Sequence, residues 1–193
     1  MNRDRNRVCP VELAGGLEGK LRRWLQNPER ILSPYVKEGM KVLDLGCGPG
    51  FFSIAMAQLV GPTGRVIAAD LQEGMLEKLR LKIRGSGLEQ RITTVKCDKA
   101  EINVRECVDF ILTFYMVHEV PDKVSLFRQL KAVLNATGKL LLVEPKLFHV
   151  SRPEFERTTA VAAESGFRVL PGPRLGLSWS AVLEPGGAVS PSA

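Results

Sequence analysis

Short apolar runs alternate along the chain with segments in which apolar residues recur every three or four positions. The runs predict strands at 41–45, 65–70, 91–97, 110–114, 139–144, 167–170 and 178–183. The longer spacing predicts helices at 13–26, 29–35, 51–59, 75–83, 123–134 and 153–164. Clusters of glycine, proline and asparagine predict turns between them, at 61–64, 135–138 and 171–173. The pattern contains no internal repeat and indicates a single α/β domain.

The order of the elements predicts how the strands pair. Strands separated by helices form a parallel sheet covered by helices on both faces, which is a three-layer α/β arrangement. The last two strands have no helix between them, only the break at 171–173. The final strand, 178–183, is therefore expected to return antiparallel, as a hairpin at the edge of the sheet.

The sequence DLGCGPG at residues 44–50 joins the first long apolar run to the following helix. Glycine has no Cβ, so a ligand can approach the backbone closely, and the first N–H groups of the helix can donate to it. In open α/β sheets such ligands bind beyond the carboxyl ends of the strands. The dinucleotide motif G-x-G-x-x-G would place its third glycine where Phe51 stands. Two acids strengthen the evidence for a ligand site here, namely Asp44 before the turn and Asp70 at the end of the next strand.

Four segments of the chain resemble a known family. They are VLDLGCGPGFFS, VIAAD, VKCDKAE and VDFILTFYMVHEV. Together they resemble class I S-adenosylmethionine-dependent methyltransferases, and most of all the small-molecule group that includes the ubiquinone and menaquinone biosynthesis methyltransferases. The similarity covers residues 29–184 in the same order of elements. It implies a Rossmann-like three-layer sandwich with a seven-stranded, mostly parallel sheet and an antiparallel last strand, and S-adenosylmethionine as the cofactor.

The resemblance also implies which residues bind the cofactor. Asp44 would lie near its ammonium group, Asp70 would accept hydrogen bonds from both ribose hydroxyls, and Asp98 would face the adenine amino group. From the residues alone, each of these acids could instead cap a turn or a helix. The full set of residues that the resemblance implies is Asp44, Gly46, Gly48, Gly50, Asp70, Leu71, Asp98, Lys99, Ala100 and Phe114.

Methyl transfer from an activated sulfonium requires the acceptor to be positioned, water to be excluded and sometimes a proton to be removed. Four polar residues follow the fourth and fifth strands, namely Tyr115, His118, Glu119 and Glu144. We name His118 and Tyr115 as the candidate catalytic residues, since histidine can act as a base near neutral pH. A histidine that caps a helix or borders the core is an equal alternative. His149, in the next loop, is a weaker candidate for touching substrate.

The connection between the fifth strand and the next helix, at 145–152, is too short to hold the lid that many small-molecule members of the family insert there. The lid is then expected from residues 1–28, as a helical cover, or from a second chain in a homodimer. The methyltransferase domain would span 29–184, and 185–193 would be a disordered tail. An open site would suit a large, hydrophobic or carrier-bound acceptor, or a protein that binds the cofactor without turnover.

The chain is basic, with a net charge of +6, and residues 78–105 contain eight basic and three acidic side chains. This cluster could bind an anionic partner such as RNA, or it could form the solvated face of a helix. No RNA-binding motif or interleaved aromatic accompanies it, and the run FYMVHE lacks the N-P-P-Y-type tetrapeptide of base N-methylases. We therefore expect a small-molecule substrate rather than nucleic acid.

The cysteines Cys9, Cys47, Cys97 and Cys107 lack the C-x-x-C spacing of a zinc site, so free thiols and no bound metal are predicted. No run approaches the ~20 apolar residues that cross a bilayer. The start of the sequence also lacks the apolar core of a signal peptide. These features indicate a cytoplasmic protein.

The sequence thus predicts an enzyme that transfers a methyl group from S-adenosylmethionine to a small or medium-sized organic acceptor. The alternatives are a non-catalytic module that binds S-adenosylmethionine, an RNA methyltransferase and a nicotinamide-dependent oxidoreductase. Phe51 and the lack of a Tyr-x-x-x-Lys set disfavour the oxidoreductase.

Overall fold

The computed structural model of the chain describes residues 26–146 and 149–186. The helices are α1 Pro28–Leu32, α2 Phe51–Leu59, α3 Glu73–Ile83, α4 Lys123–Val133 and α5 Arg152–Glu164, with a 3₁₀ turn at Val117–Glu119. The strands are β1 Lys41–Leu45, β2 Arg65–Asp70, β3 Ile92–Lys96, β4 Val108–Phe114, β5 Leu134–Pro145, β6 Phe167–Pro171 and β7 Ser178–Pro185. The predicted alternation of strands and helices is confirmed.

The beginning and end of the chain limit what can be compared with the prediction. The predicted helix 13–26 lies outside the described residues except for its last position, and so do Cys9 and the end of the predicted tail. The next helix, predicted at 29–35, is the shorter α1. It starts after Asn27, whose side chain accepts a hydrogen bond from the Arg30 backbone N–H at 3.1 Å.

The seven strands form one sheet in the order β3-β2-β1-β4-β5-β7-β6. The first five are parallel to one another, and β7 runs antiparallel to both β5 and β6. The predicted hairpin is therefore present at the sheet edge, but its outermost strand is β6 and not the final strand. Burial explains this order, because β7 buries Ala181, Val182 and Leu183 whereas β6 exposes Arg168 and Val169.

Residues 135–138, predicted as a turn, lie within β5. The strand pairs with β4 at Leu134 and again only from Lys139 onward, so the residues between them bulge out of the ladder. Asp109 of β4 supports this bulge, since its Oδ1 accepts a hydrogen bond from Asn135 Nδ2 at 2.7 Å. The irregular start of the strand accounts for the turn-like sequence.

The two faces of the sheet are covered by separate apolar clusters. Val42 and Phe110 belong to the cluster that includes Met56 of α2, while Leu43 belongs to the cluster that includes Phe127 of α4. Neighbouring residues of one strand point to opposite faces, so a single strand supplies both clusters. Since both faces are buried, the ends of the strands are where polar side chains can meet a ligand.

The basic run in α3 forms the outer face of that helix. Leu79 and Ile83 are buried toward the core, whereas Leu81 is 62% exposed. Arg80 forms an ion pair with Glu73 at 2.6 Å on the exposed surface. This is the arrangement of a solvated helix face. Within the described part of the chain, no helix has the length and hydrophobicity that crossing a bilayer requires.

Candidate active site

A cavity of about 500 Å³ lies at the carboxyl ends of β1, β2, β3 and β4. Tyr115 lines it, whereas His118 and Gly50 are not among its lining residues. The predicted cofactor-binding residues that the fold brings together around it are Asp44, Gly46, Gly48, Asp70, Leu71, Asp98, Lys99, Ala100 and Phe114. One cavity thus collects residues from four strand ends that are far apart in the sequence.

The three glycines of the turn after β1 have different neighbours. An added Cβ at Gly48, where φ is +53°, would meet no heavy atom within 4 Å. A Cβ at Gly50, where φ is +90°, would lie 2.3 Å from Cδ1 of Leu79 in α3, and one at Gly46 would lie 2.9 Å from Met116. Gly48 therefore leaves room for a ligand, whereas Gly46 and Gly50 are required by the packing of the protein itself.

Asp70, at the end of β2, is 7% exposed and faces the glycine turn. Its Oδ2 accepts a hydrogen bond from the Gly48 N–H at 2.8 Å, and its Oδ1 accepts one from the Gln72 N–H at 2.8 Å. Burial raises the pKa of this carboxyl group above its ordinary value, while these backbone donors oppose the shift. A carboxylate has about four acceptor positions, so Asp70 can still accept a hydrogen bond from a ligand hydroxyl besides those from its backbone donors Gln72, Gly48 and Leu71.

Asp44, at the end of β1, is 2% exposed. Its Oδ2 accepts a hydrogen bond from Ser53 Oγ at 2.5 Å, which ties the strand to the first turn of α2. Sequence reasoning did not identify Ser53. The signal was present, since Ser53 is a polar residue among apolar ones in FFSIAMAQL and falls on the buried side of the helix.

Asp98, Lys99 and Ala100 lie on an exposed loop after β3 and also line the cavity. Asn103 holds Asp98 in place, because its Nδ2 donates to Asp98 Oδ2 at 2.9 Å. Asn103 has a φ of +57°, a left-handed conformation that asparagine tolerates better than most residues.

Tyr115 follows β4 with a φ of +62°, which is a strained conformation for a bulky residue. Its hydroxyl shares a hydrogen bond with Ser178 Oγ at 2.5 Å and accepts another from Gln26 Nε2 at 2.9 Å. The ring centroids of Phe114 and Tyr115 are 4.4 Å apart, and Phe52 lies 4.4 Å from Phe114. These rings form an aromatic wall on one side of the cavity, held by contacts with three parts of the chain.

His118 does not line the cavity, and its ring is hydrogen-bonded to a buried acid. Its Nδ1 is 2.5 Å from Oε2 of Glu144, which is 1% exposed, and Glu144 Oε1 accepts the Val117 N–H at 2.9 Å. A carboxylate can only accept, so the imidazole donates from Nδ1. Burial by itself would lower the pKa of His118, but the hydrogen bond to Glu144 and the charges of Glu144 and Glu119 outweigh it and raise that pKa.

Glu119 reaches the cavity that His118 does not. Its Oε1 lies 4.0 Å from His118 Nε2. Burial, followed by the charges of Glu144 and Asp70, raises its pKa, although His118 opposes this shift. His149 is exposed, with its ring centroid 6.2 Å from that of His118.

Two cysteines line the cavity as buried free thiols, Cys47 and Cys97, while Cys107 is exposed. Burial raises the pKa of Cys97 to about 12 and raises that of Cys47 further, so both remain protonated near neutral pH. Among residues 26–146 and 149–186, no three His, Cys, Asp or Glu side chains are grouped so that they could bind a metal ion.

Comparison with known proteins identifies related chains. Ubiquinone/menaquinone biosynthesis C-methyltransferase UbiE from Haemophilus ducreyi is 31% identical over 137 residues, and UbiE from Shewanella sp. strain W3-18-1 is 32% identical over 136 residues. The alignments cover 70% of this chain and 51% and 52% of the two relatives. The chain therefore spans about half the length of the curated relatives it matches.

Solved structures share the fold over most of the chain. An S-adenosylmethionine-dependent methyltransferase from Aquifex aeolicus superposes with a TM-score of 0.78 at 25% identity, covering 91% of this chain and 98% of that one. A putative S-adenosyl-L-methionine-dependent methyltransferase from Methanococcus maripaludis has a TM-score of 0.73 at 20% identity, covering 91% of this chain and 90% of that one. The second comparison supports the fold alone.

A family model described as a methyltransferase domain matches residues 36–167, from the segment before β1 to the first residue of β6. This match includes all the strand ends that surround the cavity. The chain belongs to this methyltransferase family, which confirms the resemblance that its sequence motifs predicted.

Proposed function

We propose that this chain binds S-adenosylmethionine in the cavity and transfers its methyl group to a small or medium-sized organic acceptor. The observation that carries the proposal is the pairing of Gly48 with Asp70. A Cβ at Gly48 would meet open space, the Gly48 N–H donates to Asp70, and both residues line the cavity. The family match and the Aquifex aeolicus structure support the same reaction class.

The charges in the cavity fit this cofactor. S-adenosylmethionine carries a sulfonium, an ammonium group and a carboxylate, and it has no phosphate. The carboxyl groups of Asp44, Asp70, Asp98 and Glu119 border the cavity, and Lys99 is the one Lys or Arg side chain among its described lining residues. An acidic cavity favours a ligand with cationic groups over a dinucleotide, whose pyrophosphate is anionic.

The positions of the acids also fit the order of groups along the cofactor. Asp44 and Asp70 lie at the ends of β1 and β2, and Asp98 follows β3; these three strands lie side by side in the sheet. We assign Asp44 to the ammonium end, Asp70 to the ribose hydroxyls and the loop at Asp98 to the adenine. Leu71, Lys99, Ala100 and the glycine turn complete the proposed cofactor site.

The bound cofactor supplies a methyl group on a sulfonium, which is already activated for displacement. The chain then has to position the acceptor and keep water away. The aromatic wall of Phe52, Phe114 and Tyr115 gives an apolar surface against which an organic acceptor can pack. Residues 1–28 are proposed to cover this side, and the hydrogen bond from Gln26 to the Tyr115 hydroxyl supports that role.

The catalytic roles of His118 and Tyr115 are still predictions. The Tyr115 hydroxyl is already bonded to Gln26 and Ser178, so we assign Tyr115 to shaping the wall rather than to proton transfer. Where the acceptor must lose a proton, we assign Glu119 as the base, because it lines the cavity and His118 lies beside it and can stabilise its charge.

The test is methyl transfer itself. The purified chain would be incubated with S-adenosylmethionine carrying a labelled methyl group and with a cell extract separated into small molecules and RNA. We expect label in a small organic product and none in RNA. Label only in RNA would support the RNA methyltransferase instead, and cofactor binding without any labelled product would support a non-catalytic binding module.

A further inference from the structure

The connection between β3 and β4 differs from the other parallel connections in the described part of the chain. α2, α3 and α4 link β1 to β2, β2 to β3 and β4 to β5, but residues 97–107 contain no helix. This segment has to pass β2 and β1 and return to the opposite end of the sheet. It does so without regular secondary structure, and Ile102 and Val104 are buried along it.

The first part of this connection lies between two cavities. On one side of it lies the main cavity, and on the other lies a second cavity of about 160 Å³. Glu101, Ile102 and Gln129 line both. Ile102 is buried, but residues 98–101 of the loop are exposed, so hydrogen bonds contribute to fixing their position.

The side chain of Gln129, on α4, supplies the hydrogen bonds that join the loop to a helix, in addition to the local bonds from Asn103 to Asp98 and from the Asp98 N–H to the Glu101 carbonyl. Its Oε1 accepts from the Ile102 backbone N–H at 3.0 Å, and its Nε2 donates to the Ala100 carbonyl at 2.8 Å. Nε2 is also 3.2 Å from Ser125 Oγ on the same helix. One amide thus satisfies two backbone groups of the loop and ties them to the helix that packs on the sheet.

We propose that Gln129 is a positioning residue for the nucleoside end of the ligand, acting through the loop 98–102. The inference rests on the proposed function. A ligand that extends from the glycine turn past Asp70 reaches the β3 loop next, and in S-adenosylmethionine the group beyond the ribose is adenine. A base is recognised by backbone and side-chain groups held at fixed spacing, which Gln129 provides by setting the positions of Ala100 and Ile102.

Two substitutions separate the hydrogen bonds from the volume of the side chain. Gln129→Met keeps the length and loses both bonds to the loop, and Gln129→Ala loses the volume as well. Arg128→Ala, at the exposed neighbouring position of α4, is the control. Dissociation constants for S-adenosylhomocysteine and for adenosine would be measured by calorimetry on the full chain. NMR would follow hydrogen exchange at the Ile102 amide.

Both Gln129 variants should bind S-adenosylhomocysteine about five- to twentyfold more weakly than wild type. Adenosine should weaken by the same factor, because it contains the nucleoside end alone, and the Ile102 amide should exchange faster. Unchanged affinities in Gln129→Met would overturn the inference, as would a loss for S-adenosylhomocysteine without a loss for adenosine. Wild-type protein that fails to bind S-adenosylhomocysteine would overturn the proposed function as well, which distinguishes the two failures.

Discussion

At the scale of single residues, the site combines the carboxylate of Asp70 with the glycines of the turn after β1. The lack of a side chain serves a different purpose at Gly48 than at Gly50. Asp70 connects the end of β2 to the glycine turn, since its carboxylate accepts a hydrogen bond from the Gly48 N–H, and it also lines the cavity. Gly48 and Gly50 are alike in sequence, but one faces open space and the other faces Leu79. Identical residues two positions apart are therefore expected to respond differently to the same substitution.

We predict that Gly50→Ala affects folding and Gly48→Ala affects binding. In Gly50→Ala the left-handed backbone costs about 1–2 kcal/mol, and the clash with Leu79 adds about 1–3 kcal/mol, so thermal denaturation should show a clearly lower unfolding temperature. Gly48→Ala carries only the backbone strain, but its methyl group enters the ligand space. Its affinity for S-adenosylhomocysteine should fall at least about tenfold, and equal behaviour of the two variants would contradict these roles.

At the scale of elements, the sequence identified most of the fold. The apolar runs located all seven strands, most clearly β1, β2 and β4, which are buried on both faces and therefore have continuous apolar sequences. It could not predict that β7 lies inside β6, or that 135–138 form a bulge, since both depend on pairing between distant segments. The same limit applies to Gln129, whose partners Ala100 and Ile102 become its neighbours only through the fold.

The pair of His118 in the 3₁₀ turn and Glu144 in β5 gives a stability that depends on pH. The folded-state pKa of His118 is raised, so its contribution is fully present below the unfolded value of about 6.5 and is lost as the pH rises through the folded value. Glu144, Glu119, Lys123 and His149 are the charged or titratable groups around it.

Chemical denaturation at pH 6 and pH 8 tests this linkage. Wild type should exceed His118→Asn in free energy of unfolding by more at pH 6 than at pH 8. Glu144→Gln retains an acceptor for the Val117 N–H but removes the charge, and it should reduce the same difference. A wild-type advantage that grows from pH 6 to pH 8 would show that the pair acts with the opposite sign.

At the scale of the whole molecule, the methyltransferase domain forms the cavity, but a cover over the acceptor side of that cavity has to come from another part of the protein. The connection after β5 is short, and Gln26, the first residue that the structure describes, donates a hydrogen bond to Tyr115 of the aromatic wall. We therefore keep the prediction that residues 1–28, which lie outside the central sheet, cover the acceptor. The possible homodimer and the cytoplasmic location also stay predictions.

Deletion of residues 1–25 distinguishes the role of the proposed cover over the acceptor from that of the cofactor site. The truncated chain should bind S-adenosylhomocysteine within about twofold of wild type, because the proposed cofactor residues all follow Asp44. Its labelling of the small-molecule product should fall at least about fivefold, since water and acceptor are no longer confined. Deletion of 187–193 is the control for shortening the chain, and full turnover after the first deletion would refute the cover.

The most direct test of the central claim is calorimetric titration of wild type and Asp70→Ala with S-adenosylhomocysteine and with NAD. The account predicts saturable binding of S-adenosylhomocysteine to wild type and no response to NAD. Because hydrogen bonds to a charged group contribute about 1.5–3 kcal/mol each, Asp70→Ala should bind at least about tenfold more weakly, while Glu156→Ala on the exposed face of α5 should match wild type. Saturable NAD binding without any response to S-adenosylhomocysteine would contradict the account.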